Sequence, residues 1–142
     1  MVEYEILDYF DIFEEAEDKY IYYSKKKMKN NQTAYFFLTS YYNDKRYDFA
    51  ISFAVANKRK DIKNWMCDKQ NNIKLKSSGS CGLEALIWAK NQLILLEKCC
   101  HPTDKISVYG EDSRRGRVYK AYLDRLGYKY DGAYNEMFKI IQ

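Results

Sequence analysis

The chain has 142 residues, which is enough for one globular domain and too few for two independent cores. Hydrophobic residues make up 46% of it and charged residues 31%, a balance that excludes a disordered or low-complexity chain. No apolar run reaches the roughly 18 residues that a membrane helix needs. We therefore predict a single domain over residues 1–142 that does not contact a membrane.

Charge is unevenly distributed along the chain. Eight of the 20 acidic side chains lie in the first 18 residues, which contain no basic one, so the other 124 residues carry 24 basic and 12 acidic side chains. A basic body of this kind favours an anionic partner, such as a nucleotide cofactor, a nucleic acid or an acidic protein surface. A solvated surface of mixed charge is the alternative.

The start of the chain and its cysteines predict a cytoplasmic protein. The sequence MVEYEILDYFDIFEEAED lacks the basic and apolar segments of a secretory signal. The four cysteines, Cys67, Cys81, Cys99 and Cys100, are then expected to be reduced thiols. Because no C-x-x-C pair occurs and His101 is the one histidine, we predict no metal site.

The first half of the chain predicts a strand, a helix and a hairpin. The segment VEYEIL (2–7) alternates as a strand does. From Asp11 apolar residues recur at helical spacing, with acids early and Lys25 to Lys29 late, which favours a helix. After KNNQT, the segments AYFFLTSYY and YDFAISFAVA flank the turn NDKR and predict an antiparallel hairpin.

The second half predicts strands that alternate with helices. Residues 57–72 are polar and ambiguous. The predicted elements that follow are the strand NIKLK, a helix over 80–98, the strand KISVYGE, a helix over 113–126 that Asp112 caps and Gly127 ends, and the strand YNEMFKII. The order β-α-β-β-β-α-β-α-β predicts an α/β fold with a mixed sheet, an antiparallel hairpin at its edge, and helices that cover it.

The segment KLKSSGSCG places small residues between a predicted strand and a long predicted helix. Neither the P-loop pattern nor G-x-G-x-x-G occurs in it. Free N–H groups at the start of a helix can hold a pyrophosphate without help from side chains. The alternative is that the small residues only let the strand and the helix pack closely.

The C-terminal stretch DSRRGRVYKAYLDRLGYKYDGAYNEMFKII contains an arginine-rich turn, helically spaced Tyr and Leu, the helix end L-G-Y and a last strand. Together with the small-residue turn, it resembles the C-terminal half of the GCN5-related N-acetyltransferase (GNAT) superfamily. In that family a turn [QR]-x-x-G-x-[GA] leads from the fourth strand into a helix and receives the pyrophosphate of acetyl-coenzyme A. A later helix ends in a segment like A-x-L-Y-x-K-L-G-F. The resemblance implies a single GNAT-like domain with a mixed, mostly antiparallel, twisted sheet flanked by helices.

The resemblance also implies an activity, that of an acetyl-coenzyme A-dependent N-acyltransferase acting on a small-molecule or protein amine. The family's general-acid tyrosine falls at Leu123, which leaves Tyr122 and Tyr119 as the catalytic candidates. Lys76 stands where the family has Arg or Gln, and Cys81 where it has Gly or Ala. The implied cofactor-binding residues are Lys76, Ser77, Ser78, Gly79, Ser80, Cys81 and Gly82 in the turn, with Arg114 and Arg117 on the adenosine phosphates.

Other interpretations of these residues stay open. The general base could be Glu84, Glu111 or Asp112, and nothing in the sequence favours one of them. The basic segment SRRGRVYK could bind nucleic acid or an acidic protein, in a GNAT-shaped inhibitor or adaptor, such as a viral one, that has no turnover. Cys81 at a helix start, paired with His101, could also supply a thiolate nucleophile.

Overall fold

A computed structural model of the chain describes residues 2–15, 19–29, 31–43, 45–56, 82–109, 120–133 and 136–142. Within these ranges seven strands form one mixed sheet, so the predicted α/β class with a mixed sheet is confirmed. The helices are α1 (Val2–Leu7) and α2 (Gly82–Cys99), and residues 120–125 are also helical. The strands are β1 (Asp11–Glu15), β2 (Lys19–Lys27), β3 (Thr33–Asn43), β4 (Arg46–Ala56), β5 (Lys105–Tyr109), β6 (Lys129–Asp131) and β7 (Glu136–Ile140).

The strand order of the sheet is β1-β2-β3-β4-β5-β7-β6. The first four strands pair in sequence as antiparallel neighbours, and β7 pairs antiparallel with both β5 and β6. The pair β4–β5 is parallel, and α2 lies in the connection between its two strands. Parallel neighbours need such a crossover, because the chain must return to the other end of the sheet before β5 can begin.

Helix α2 and the first residues of the chain cover one face of the sheet. Leu93 and Leu96 of α2 are buried in a cluster with side chains from β3, β4 and β5. From the chain start, Ile6 and Phe10 join the same cluster, and the Phe10 ring lies 5.8 Å from that of Phe36. The sheet residues of this core are Tyr22, Phe36, Leu38, Phe49, Ile51, Ile106 and Met137.

The prediction for the chain start is wrong in two places. VEYEIL forms helix α1 rather than a strand, because Ile6 and Phe10, four residues apart, enter the core from one side. The segment predicted to be helical from Asp11 forms β1 and β2. Ile21 and Tyr22 point to opposite faces of β2, and both are buried, so this strand lacks the polar–apolar alternation that identifies strands in a sequence.

Later elements agree with the prediction more closely. The hairpin β3–β4, helix α2, strand β5 and the last strand are present, whereas the short strand β6 was not predicted. The predicted place of the hairpin at the edge of the sheet is wrong, because β2 pairs with β3 and β5 pairs with β4, so the hairpin is interior. Gly127 ends the helical segment, as predicted. NIKLK and the part of the predicted 113–126 helix before residue 120 lie outside the described residues.

The two cysteines within the described ranges are free thiols at the end of α2. Cys99 Sγ donates to the carbonyl oxygen of Glu5, which ties the helix to α1, and Cys100 Sγ donates to that of Leu96. In these ranges no three His, Cys, Asp or Glu side chains lie close enough to share a metal ion. No helix formed by the described residues combines the length and the apolar character needed to cross a membrane.

Candidate functional site

The candidate site lies where β4 and β5 stop pairing. Their parallel ladder runs from Asp48 and Lys105 to Ile51 and Val108. β4 continues to Ala56, but beyond Ile51 its ladder partner in the described part of the chain is β3 alone. Beyond Ile51, no strand of the described residues pairs with the side of β4 that faces away from β3. A ligand that carries amide groups can hydrogen-bond to such a side as a strand would.

An apolar pocket lies at this point, on the face of the sheet that α2 covers. Its volume is about 60 Å³. One water molecule occupies about 10–15 Å³ by the same measure, so the pocket has room for a group of a few heavy atoms. Ile51 and Phe53 of β4 and Val108 of β5 form its sheet side.

One stripe of α2 forms the roof of the pocket. Leu86, Ala89, Lys90 and Leu93 all line it, and their spacing of i, i+3, i+4 and i+7 places them on the same side of a helix. Ala89 stands in the middle of this stripe with a side chain much smaller than those of its leucine neighbours. A larger side chain at this position would extend from the pocket lining that Ala89 helps to form.

Helical residues 120–125 close the pocket from a third side. Leu123 is buried, belongs to the core and lines the pocket, and the half-buried Tyr122 lines it as well. The ammonium nitrogen of Lys90 lies 5.8 Å from the centroid of the Tyr122 ring, within the range of a cation–π contact. Tyr122 and Lys90 are the two lining residues that carry polar groups, but nearly all of the pocket surface is formed by apolar atoms, so these two residues line it mainly with their carbon atoms.

Some of the predicted site residues lie within the described structure. Tyr122 is in the pocket wall, and Leu123, at the position of the family's tyrosine, is an apolar wall residue beside it. Gly82 is the first residue of α2. The other predicted site residues, Lys76, Ser77, Ser78, Gly79, Ser80, Cys81, Arg114, Arg117 and Tyr119, lie outside the described residues.

Of the possible bases, Glu84 has a structural contact. Its Oε1 accepts a hydrogen bond from the Lys29 amide at 2.9 Å, which joins the first turn of α2 to the end of β2. This contact is between segments 55 residues apart in the chain. Glu111 and Asp112 lie outside the described residues.

The proposed pairing of Cys81 with His101 does not fit the length of α2. Cys81 itself lies outside the described residues, but its neighbour Gly82 begins the helix, and His101 follows its other end. A helix of 18 residues is about 27 Å long. His101 instead lies 3.6 Å from a carboxylate oxygen of Glu5. Gly82 and His101 thus lie at opposite ends of α2, too far apart for neighbouring side chains to meet as a thiolate–imidazole pair.

The sequence reasoning did not identify the pocket residues Phe53, Ala89 and Lys90. The helical stripe of α2 did carry a signal, because the small Ala89 lies between Leu86 and Leu93 on one side of the helix. The contact of that stripe with residues 120–125 has no signal in the sequence, because the contacting residues are far apart in the chain, as Lys90 and Tyr122 are at 32 positions. Their contact depends on the tertiary structure.

Comparison of the chain with protein-family models, with curated proteins and with solved structures finds no match. The site is defined by its own geometry. It is a small apolar pocket at the end of a parallel strand pair, with one tyrosine and one lysine as its polar wall residues.

Proposed function

We propose that the protein is an acetyl-coenzyme A-dependent N-acyltransferase with a GNAT-like fold. The pocket at the end of the β4–β5 ladder is the observation that carries this proposal. Its volume of about 60 Å³ suits a short acyl group and is far below the several hundred Å³ of a pocket for a whole ligand. Its mostly apolar lining suits a methyl group.

The position of the pocket relative to α2 supports the same function. Among the described elements α2 follows β4, and it begins at Gly82, directly after the sequence KSSGSC that resembles the family's pyrophosphate-binding turn. The free N–H groups at the start of this helix favour an anion. Ala89 lies seven residues further along, about 10 Å from Gly82. A cofactor with its phosphates near Gly82 would pass along the side of β4 that faces away from β3 toward the pocket.

The chemistry of the reaction assigns a role to Tyr122. The acceptor amine attacks the thioester carbonyl carbon, the carbon–sulfur bond breaks, and the departing thiolate takes a proton. The Tyr122 hydroxyl is the candidate donor of that proton, since Leu123 has none to give. A base must also remove a proton from the amine, and the described residues around the pocket offer no carboxylate for that step.

A second candidate function is a binding protein of the same shape without turnover. The observation that favours it is Leu123, a buried apolar side chain at the position where the resemblance implies the catalytic tyrosine. Such a protein would retain a ligand pocket or its charged surfaces and act as an inhibitor or adaptor toward an acidic protein or a nucleic acid.

Titration calorimetry with acetyl-coenzyme A and with coenzyme A tests the cofactor. The variant Ala89→Leu places a larger side chain in the pocket lining and should weaken binding of acetyl-coenzyme A about tenfold, the effect of a misfit in an apolar pocket, while coenzyme A binds as before. Ala121→Leu is the matched control, because Ala121 is exposed on the neighbouring helical segment. Absence of any binding at millimolar acetyl-coenzyme A would overturn the proposal.

Release of free thiol from acetyl-coenzyme A separates the two candidate functions. Thiol release that depends on an added amine, such as spermidine or a lysine-containing peptide, supports the acyltransferase. Binding of acetyl-coenzyme A without thiol release across a broad panel of amines supports the binding protein.

A further inference from the structure

Four lysines crowd the end of β2. Lys25, Lys26 and Lys27 are the last residues of the strand, and Lys29 follows two positions later. All four are exposed, and none of them forms an ion pair with another described residue. We call these four residues the lysine edge. Like charges this close repel one another, so an arrangement of this kind is stabilised by an anion that binds to it.

The lysine edge is also an edge of the sheet. β1 pairs with β2 only as far as Tyr23, and in the described structure the residues from Ser24 to Lys27 pair with β3 alone. No strand of the described residues therefore pairs with the outer side of this stretch, and the Lys25, Lys26 and Lys27 side chains on it are exposed.

The acidic residues of β1 lie along the part of β2 that precedes the lysine edge. Glu15 is paired with Tyr20, six residues before Lys26, which is about 20 Å at about 3.4 Å per residue. Asp11 is paired with Tyr23, two residues before Lys25, which is about 7 Å. The Debye length at physiological salt is about 8 Å, so Asp11 offsets part of the charge of Lys25, whereas Glu15 does not act on the lysines. The positive charge of this edge is therefore least offset by β1 at Lys26 and Lys27.

Contacts with α2 hold the backbone of the lysine edge in place. Ser24 Oγ donates a hydrogen bond to Gln92 Oε1 at 2.8 Å, and the Lys29 amide donates to Glu84 at 2.9 Å. Met28, between the lysines, is buried against Ala85. The backbone is fixed by these contacts while the lysine side chains extend into solvent, so little backbone entropy is lost when an anion binds.

We infer that the lysine edge binds the phosphate backbone of a nucleic acid, independently of the acyl pocket. Strand alternation places Lys25 and Lys27 on one face, about 7 Å apart, and Lys26 on the other. A single small anion would reach only part of this row, whereas a chain of phosphates can contact all of it. The large apolar side chains that are exposed elsewhere on the described surface do not include any within this run. Protein partners usually rely on such apolar anchors, and phosphate backbones do not.

Fluorescence anisotropy with labelled single-stranded and double-stranded oligonucleotides tests this inference. With three or four phosphate contacts, affinity should fall about 50- to 150-fold between about 50 mM and about 200 mM salt. The triple variant Lys25→Gln, Lys26→Gln, Lys27→Gln should reduce the slope of log affinity against log salt by about 2 to 3.

The matched control is the triple variant Lys98→Gln, Arg125→Gln, Lys129→Gln, which removes the same charge from exposed positions elsewhere. It should leave the slope unchanged, and unaltered melting temperatures should show that both triple variants are folded. If both triple variants weaken binding equally, net charge alone attracts the oligonucleotide and the inference fails. It also fails if the unmodified protein binds no oligonucleotide at low salt, or if it binds polyglutamate in preference. Self-association of the lysine variant with unchanged oligonucleotide binding would mean that the lysines serve only to block strand pairing at the sheet edge.

Discussion

The Asp104 carboxylate accepts a hydrogen bond from the Tyr47 amide, with 3.0 Å between Oδ1 and the nitrogen. Asp48 and Lys105 are the first pair of the parallel ladder between β4 and β5. Tyr47 directly precedes Asp48, and Asp104 directly precedes Lys105. The second carboxylate oxygen accepts a hydrogen bond from the His101 amide at 2.8 Å. One buried side chain thus joins the end of the crossover to the strand beside it, and it fixes the register that positions Ile51 next to Val108.

Replacing Asp104 with Asn should lower the free energy of unfolding by about 2 kcal/mol. The amide side chain keeps one acceptor oxygen, so one of the two backbone N–H groups loses its partner, and hydrogen bonds to charged groups contribute about 1.5–3 kcal/mol each. Urea unfolding of the two proteins measures the difference. Asp124→Asn, at an exposed position, is the control and should change stability by less than about 0.5 kcal/mol. A loss that small at Asp104 would mean that these bonds do not hold the strands together.

Local signals in the sequence were sufficient for several individual elements. The hairpin β3–β4 and helix α2 have clear period-two and helical patterns, and Gly127 marks a helix end. At the chain start the signals conflict. Ile21 and Tyr22 are buried on opposite faces of β2 and Tyr20 is an exposed aromatic residue, so the strand shows no polar–apolar alternation.

The candidate site was less predictable, because it depends on pairs of distant segments. Tyr122 was identified through a family motif, but its place in the pocket depends on Lys90 and Ala89 of α2. The bond between Asp104 and Tyr47 spans 57 positions. An aspartate that precedes a strand looks like an ordinary turn residue in the sequence. Only the fold shows that both of its oxygens are used.

Gly127 should not tolerate a side chain, for reasons of backbone conformation rather than space. Its φ is 92°, a region that residues with a Cβ atom rarely adopt. An added Cβ would lie 3.6 Å from Lys139 Cε, which is an ordinary contact. We expect Gly127→Ala to cost about 1–2 kcal/mol in thermal or urea unfolding. Gly132→Ala is the control, with a similar 3.6 Å contact to the Tyr130 ring and no positive φ. Equal losses in the two variants would contradict the conformational explanation.

The hydroxyl group of Tyr128 should not stabilise the folded protein. The side chain is buried in the core, and its hydroxyl oxygen has no hydrogen-bond partner among the described residues. Burying an unpaired hydroxyl is unfavourable, so Tyr128→Phe should leave stability unchanged or raise it by about 1 kcal/mol. Tyr9→Phe, at an exposed position, is the control. A loss of stability larger than about 1 kcal/mol would show that the hydroxyl has a partner.

Alkaline solution should destabilise the protein through its buried thiols. Burial, and next the charges of Glu5 and Asp8, raise the pKa of Cys99 from 9.0 to about 11, and burial also raises the pKa of Cys100. Between pH 9 and 11 the unfolded chain therefore holds fewer thiol protons than the native one, so the free energy of unfolding falls as the pH rises. Below pH 9 the contribution of these groups does not change with pH.

The variant Cys99→Ala tests whether the Cys99 thiol causes the decrease in unfolding free energy above pH 9. It will have a lower stability at every pH because a buried side chain is truncated, so the informative quantity is the slope of unfolding free energy against pH. We expect a shallower slope than in the unmodified protein between pH 9 and 11, and the same slope below pH 9. Identical slopes in the alkaline range would assign the fall to other groups.

Tyr122→Phe distinguishes a proton donor from a wall residue. The variant keeps the ring that lines the pocket and faces Lys90, and removes only the hydroxyl. If the hydroxyl protonates the departing thiolate, the rate of amine-dependent thiol release from acetyl-coenzyme A should fall about 10²- to 10⁴-fold, while affinity for acetyl-coenzyme A and the melting temperature stay the same. Tyr9→Phe, an exposed tyrosine remote from the pocket lining, should leave the rate unchanged. An unchanged rate in the Tyr122 variant would remove this residue from the catalytic set. A loss of cofactor affinity at an unchanged rate would instead show that the hydroxyl contributes to binding.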